Sequence, residues 1–241
     1  MQTLNKWIEG SVKPFLKQSS EEEDYHTFMR DELRPIVRDE NVFFSSADGV
    51  ILYNKIVNSP KVKVDIKGNP YSIDDIMGEE GIIDGPALVC GIFMTFADIH
   101  LNRVPYDSIL SFKMIDPIES FNLSMDDIEN KIFGDLRGKK FADSQRTLYT
   151  KNNARMQNRF YIPRLDYSYY IVQIADYEVD VIQHFTTKQN QVFHQGERFS
   201  FIRWGSQCNL IMPLRDDLKI KPLIPPMLHV KAGLDKIVQF V

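Results

Sequence analysis

Apolar residues recur at helical spacing at the start of the chain and at strand spacing after it. Leu4, Trp7, Ile8, Val12, Phe15 and Leu16 fall on one helical face, and Lys6, Lys13 and Lys17 flank it. Gly10 and Pro14 weaken a continuous helix there. A Trp/Phe/Leu face edged by lysines either packs on the rest of the domain or on a second copy, or lies on a membrane surface. The acidic run Glu21-Glu22-Glu23-Asp24 predicts a second helix reaching about Val37, capped by Ser19 or Ser20. Residues 1–40 thus read as an N-terminal amphipathic helical segment, and 41–241 as one domain.

From Val42 onward the pattern is that of strands. VFFSSADGVILYNKIV reads as strand, turn at Ala47-Asp48-Gly49, strand. KVKVDIKGNPYSI alternates and then turns at Gly68-Asn69-Pro70, and Ser72 opens a short helix. ALVCGIFMTF, 87–96, is a continuous apolar run and predicts a strand buried on both faces. Residues 125–145 are polar and turn-rich, which predicts short helices or a loop. Residues 167–185 predict a long β stretch, followed by a turn at Gln195-Gly196-Glu197. LHVKAGLDKIVQFV predicts two short strands around Gly233. Short strands joined by Gly/Pro turns, with helices mainly at the N-terminal end, give an α+β, predominantly antiparallel fold.

The length of 241 residues suits one sizeable core. A net charge of −4 argues against a nucleic-acid partner. The two cysteines, Cys90 and Cys208, lie inside apolar runs and make neither a disulfide framework nor a metal pattern, which suits a reducing compartment. No apolar run is long enough to span a bilayer, and no signal peptide opens the sequence. The five histidines do not pair at zinc spacing, so no metal site is expected. There is no G-x-S-x-G elbow and no phosphate-cradling glycine loop.

Three short stretches remain. In Ser45-Ser46-Ala47-Asp48-Gly49, an Asp beside a Gly reads first as an Asx-turn residue. FADIHLNRVP, 96–105, follows a buried strand and carries Asp98, His100, Asn102, Arg103 and Pro105. In RWGSQCNLIMPL, 203–214, Gly205-Ser206 interrupts two apolar runs. A glycine in such a position marks a bulge, a bend or a close backbone approach. The pair is either an ordinary turn or a reaction site.

Together these stretches resemble the phosphatidylserine decarboxylase family, from about Phe44 to the C-terminus. SSADG is similar to the family's S-P-A-D-G, with Ser46 in place of proline. FADIHLNRVP resembles the D-V-H-V-N-R-A-P segment of the short bacterial and archaeal branch. VQIADYEVDVI, 172–182, is similar to its V-Q-I-A-G strand, and GERFSFIRWGSQCNLIMP resembles its G-x-R-F-G-M-I-R-F-G-S-R-V-D-L-Y-L-P. The resemblance departs at Asn153-Ala154-Arg155, where the family often has N-E-R, and at Gln207, where Thr or Arg is common. The short branch's hydrophobic N-terminal anchor gives way to the amphipathic segment.

The resemblance implies a β-sandwich decarboxylase domain over 41–241 that cuts itself between Gly205 and Ser206. Ser206 Oγ attacks the Gly205 carbonyl, an ester replaces the amide, and β-elimination releases Gly205 as a new C-terminus. The dehydroalanine left at 206 tautomerises, loses ammonia to water and becomes a pyruvoyl group. That group is the implied cofactor, with neither metal nor pyridoxal phosphate. It condenses with a substrate amine as a Schiff base and accepts the electrons released with carbon dioxide. The implied reaction converts phosphatidylserine to phosphatidylethanolamine.

Further implications concern residue roles and partners. His100 is the base for Ser206, and Asp48 orients or charge-stabilises His100. The other branch's second histidine corresponds to Arg103, which cannot readily serve as a base; either His100 takes both roles, or Arg103 stabilises an oxyanion or binds a carboxylate or phosphate. Arg103, Asn102 and Arg155 are the candidate substrate-binding residues. Implied partners are a phosphatidylserine-bearing membrane surface, the chain's own cleaved fragment and a second copy in a homodimer, with the protein cytoplasmic and peripheral. Two alternatives stay open: a pyruvoyl decarboxylase of a soluble amino acid or conjugate, and an uncleaved relative acting as a binding or scaffold protein.

Overall fold

The computed structural model describes residues 1–18, 28–30, 32–61, 64–66, 69–116, 132–133, 154–175, 182–203 and 206–240. After the two-residue strand β1 (Gln2–Thr3), α1 (Leu4–Trp7), a π-helical turn (Ile8–Val12) and α2 (Lys13–Gln18) run end to end. Thr3 caps α1 by accepting from the Lys6 amide. Pro14 has no N–H to return to Gly10, and the turn that precedes it is widened rather than broken. Trp7 and Val12 are buried. Trp7 packs on Phe133, and Phe15 packs on Phe96. Trp7 and Val12 of the amphipathic face are therefore spent on the protein's own core, which corrects the membrane reading of Trp7.

The helix expected from Glu21 to Val37 lies partly outside the described residues, but 32–39 carry no helix. Pro35 disfavours helical backbone at Arg34. Arg34 is instead drawn inward to a buried partner.

Beyond it come β2 (Val42–Phe44), β3 (Gly49–Val57), β4 (Val64–Ile66), β5 (Asn69–Tyr71), α3 (Ile73–Met77), β6 (Ala87–Met94), β7 (Leu101–Arg103) and β8 (Ser108–Ile115). After residue 153 come β9 (Arg155–Ile162), β10 (Tyr167–Ala175), β11 (Ile182–His184), β12 (Gln191–Phe193) and β13 (Arg198–Ile202). The C-terminal part holds β14 (Ser206–Pro213), β15 (Ile220–Pro222), β16 (Leu228–Val230) and β17 (Lys236–Phe240). Asn69 and Pro70 open β5 rather than forming the turn expected of them, and 67–68 lie outside the described residues. The 167–185 stretch divides into β10 and β11, which join different sheets. The loop expected over 125–145 lies outside the described residues except for Ile132 and Phe133, which are buried.

Among the described residues all strand pairs are antiparallel. The main sheet runs β1-β16-β3-β6-β14-β10-β9-β8-β12, and two three-stranded sheets, β11-β13-β7 and β15-β17-β2, lie apart from it. One core holds Ile51, Met94, Ile171 and Leu210 of the main sheet with Phe43, Phe199, Ile202 and Val238 of the small sheets. The second core holds Val50, Phe93, Val172 and Ile211 with Trp7, Val12, Ile73 and Ile76 of the helical side. The central strands are thus covered on both faces, as the unbroken apolar run of β6 predicts.

Candidate active site

At the end of the main sheet where β6 and β10 finish and β14 begins, the backbone of Ser206 and the ring of His100 both meet the short stretch Met94-Thr95. Ser206 pairs through its backbone with Met94 of β6 and Ala175 of β10. Gly205 lies outside the described residues. Thr95 follows Met94, and Ile202 closes β13 just before the Gly-Ser pair. His100 joins these two flanks. Its Nδ1 is 3.2 Å from the Ile202 carbonyl and its Nε2 is 3.0 Å from the Thr95 carbonyl. The Ile202 amide returns a bond to the His100 carbonyl. Phe28 stacks on the ring at 4.3 Å.

His100 is fully buried. Burial pushes its pKa below the ordinary histidine value; the Thr95 carbonyl, Asp98 and the Ile202 carbonyl oppose this, and Arg30 reinforces it. A neutral ring has one N–H, yet both ring nitrogens face carbonyl oxygens. One nitrogen therefore presents its lone pair to an acceptor, and a proton arriving there finds a bond partner waiting.

Asp98 is buried beside this group. One carboxylate oxygen, Oδ2, accepts from the Thr95 amide at 2.9 Å and the Thr95 hydroxyl at 2.7 Å. The other, Oδ1, lies 2.7 Å from Nε2 of His229 on β16. Burial alone would raise the Asp98 pKa; the His229 ring and the Thr95 donors outweigh it and hold the carboxyl low.

Asp48 occupies a different neighbourhood. Its carboxylate is gripped by Arg34 and accepts from the Ala232 amide. Among the described residues it makes no hydrogen bond to His100. Its turn is nevertheless tied to the site: the Ser46 carbonyl accepts from the Arg103 amide and from Asn102 Nδ2. Gly49 is required here, because a Cβ at 49 would collide with the carbonyl oxygen of Phe93.

The three candidate binding residues are separated. Arg103 donates from Nη1 to the Gly196 carbonyl at 2.7 Å. With Arg34, Arg198, Glu32, Glu197, Leu33 and Ile36 it lines a cavity of about 470 Å³. Asn102 is buried in the core, accepting from Gln173 and lying near the sulfurs of Cys208 and Met94. The Arg155 guanidinium reaches the Asp75 carbonyl and so caps the C-terminal end of α3. Gln207, which departs from the family pattern, is buried and bonded to Tyr53 and Asn209.

Sequence reasoning did not select Arg34, Thr95 or His229. Asp98 was visible in FADIHLNRVP, two residues before His100. His229 carries no local signal: its partner Asp98 is 131 residues away in the chain.

A family model described as phosphatidylserine decarboxylase matches residues 25–237. A phosphatidylserine decarboxylase proenzyme of Pelagibacter ubique is 28% identical over 183 residues, covering 76% of this chain and 66% of that protein. One from Ehrlichia chaffeensis is 26% identical over 194 residues, covering 80% of this chain and 67% of its own length. A putative archaetidylserine decarboxylase proenzyme of Methanocaldococcus jannaschii is 26% identical over 195 residues, 80% of this chain and 81% of that protein. The chain thus spans about two thirds of the length of the first two relatives.

Proposed function

Because the chain belongs to the phosphatidylserine decarboxylase family, we propose that it is a self-processing, pyruvoyl-dependent decarboxylase that converts phosphatidylserine to phosphatidylethanolamine at a membrane surface. The observation that carries this reading is His100, buried and bonded to the carbonyl of Ile202, four residues before Ser206, and to that of Thr95, next to Met94, the backbone partner of Ser206.

In this reading His100 takes the Ser206 hydroxyl proton and, as imidazolium, donates to both the Thr95 and Ile202 carbonyls. Burial keeps the ring neutral beforehand and so ready to accept. The residues fit the formation of a pyruvoyl group at 206: His100, whose pKa burial lowers, bonds the Thr95 carbonyl beside the backbone partner of Ser206, and β14 is anchored to strands on both sides. Once formed, the group supplies a carbonyl electron sink for decarboxylation of a bound amino acid.

Asp48 contributes indirectly, by holding the SSADG turn against the C-terminal loop. Arg103 and Arg198 supply positive charge to the cavity of about 470 Å³, which suits the phosphate of a glycerophosphoserine headgroup. Leu33 and Ile36 line the same cavity with exposed apolar side chains, which suits an acyl-chain environment. Among the described residues no helix is long and apolar enough to cross a membrane. A headgroup attached to archaeal lipid chains, as in the name of the archaeal relative, presents the same serine and phosphate.

The test is intact mass spectrometry under denaturing conditions, followed by carbon dioxide release from serine-lipid vesicles and from soluble amino acids. Two fragments, 1–205 and 206–241, the second blocked by pyruvoyl, with turnover of the vesicles, is the expected result. A single full-length mass after long incubation would overturn the reading.

A further inference from the structure

Resting on that reading of Ser206 and His100, we propose that His229 is a positioning residue for His100, acting through Asp98 and Thr95. The links are continuous. His229 Nε2 meets Asp98 Oδ1 at 2.7 Å. Asp98 Oδ2 receives both the Thr95 amide and the Thr95 hydroxyl, and the Asp98 amide donates to the Thr95 carbonyl at 3.0 Å. That same carbonyl faces His100 Nε2 at 3.0 Å. The oxygen that holds the imidazole is thus itself held by Asp98, and the Asp98 carboxylate is held by His229. Thr95 adjoins Met94, the backbone partner of Ser206.

Stability alone is a poor account of this arrangement. His229 and Asp98 are both 2% exposed, and burying polar groups carries a desolvation cost that apolar packing of the same volume does not. His229 stacks on Trp7 with ring centroids 4.2 Å apart, a contact an aliphatic side chain could also make. Its Nδ1 is buried with no hydrogen-bond partner among the described residues, which is a further cost. What the histidine adds over an apolar residue is the bond from Nε2. It also lies C-terminal to Ser206, so in a cut protein the small fragment would help to hold the base carried by the large one.

The test compares full-length chains carrying His229→Leu, which removes the donor, and His229→Gln, which keeps an N–H for Asp98. Appearance of the cut fragments is followed by intact mass as a function of pH. His229→Leu is expected to slow cutting roughly 100-fold, the scale of a small misplacement of a catalytic group, and to move its pH midpoint. His229→Gln is expected to restore most of the rate and the midpoint. A folded His229→Leu chain with parental rate and pH profile overturns the proposal, as does a loss that His229→Gln does not relieve. If His229→Leu does not fold, Thr95→Val, which removes one donor to Asp98, replaces it under the same criteria. If the parent chain itself never cuts, the proposed function fails instead. The positioning role is then decided by ¹⁵N spectra of the His100 ring in a Ser206→Ala background: a tautomer or titration midpoint changed by Leu and restored by Gln supports it, and unchanged spectra overturn it.

Discussion

Arg34 and Asp48 meet in the interior through two parallel hydrogen bonds, Nη1 to Oδ1 and Nη2 to Oδ2, each 2.6 Å long. The guanidinium also donates to the Ala232 carbonyl, and Asp48 accepts from the Ala232 amide. Three distant segments are fastened at one point: residues 32–39, the SSADG turn and the loop after β16. Removing one partner strands the other charge in the core. Asp48→Ala or Arg34→Met is therefore expected to cost about 3–5 kcal/mol in denaturant unfolding, with the double variant less damaging than the sum. Additive losses would show that the two residues act separately.

The sheet topology also determines whether the two pieces separate after a cut at Gly205–Ser206. β14 lies between β6 and β10, paired along eight residues of the first and six of the second. β16 joins β3, and β17 joins β2. The segment after the cut is thus woven into two sheets, and its release would unzip the centre of the protein. The fragments are expected to co-elute on size exclusion under native conditions and to separate only in denaturant. A small fragment eluting alone without denaturant would contradict this.

The two apolar features of the N-terminal region should respond differently to charge. Trp7 is 2% exposed, whereas Leu33 is 99% and Ile36 55% exposed. Trp7→Glu buries an unpaired carboxylate and is expected to lower the melting temperature sharply. Leu33→Glu with Ile36→Glu is expected to leave melting nearly unchanged and to reduce co-sedimentation with serine-lipid vesicles. Unchanged vesicle binding in that double variant would remove these residues from any membrane contact.

Strand positions were legible where one physical signal dominated. The apolar run 87–96 gave a doubly covered β6, Ser72 opened α3, and Gly196 and Gly233 marked turns with positive φ. The helix expected to reach Val37 is absent over 32–39, where tertiary contacts outweigh local propensity: Arg34 is drawn to Asp48. His100 stood out in its segment, and in the structure its ring meets the carbonyls of Ile202 and Thr95. The link from Asp48 to His100 was not found among their hydrogen bonds, and the Asp98–His229 pair was invisible, because a pairing across 131 residues leaves no local pattern.

His184 makes stability depend on pH. It is buried and stacked on Phe112 with centroids 3.9 Å apart, and among the described residues neither ring nitrogen has a hydrogen-bond partner. Burial lowers its pKa from 6.5 to about 4. Above the unfolded value both states are neutral and the group has no effect. As pH falls from 6.5 toward about 4, the unfolded chain takes the proton and the folded one does not. The folding equilibrium should then weaken by about tenfold per pH unit from this group. His184→Leu is expected to flatten that slope in urea titrations; an unchanged slope would mean that the histidine is protonated in the folded state.

Self-cutting should retain its rate to a lower pH than an ordinary histidine base would allow. The base form of His100 is favoured by burial, against the pull of the Thr95 and Ile202 carbonyls and Asp98. A base must be unprotonated to act, and a lowered pKa keeps it so further into acid. The acid limb of the cutting rate, measured by mass spectrometry after pH jumps, is expected to have its midpoint below 6.5. Asp98 favours the protonated ring, so Asp98→Asn should move the midpoint lower still while slowing the plateau. A midpoint above the ordinary histidine value would mean either that the ring is already charged in its two-carbonyl site or that another group takes the Ser206 proton. The ¹⁵N shifts of the His100 ring in a Ser206→Ala background distinguish those two.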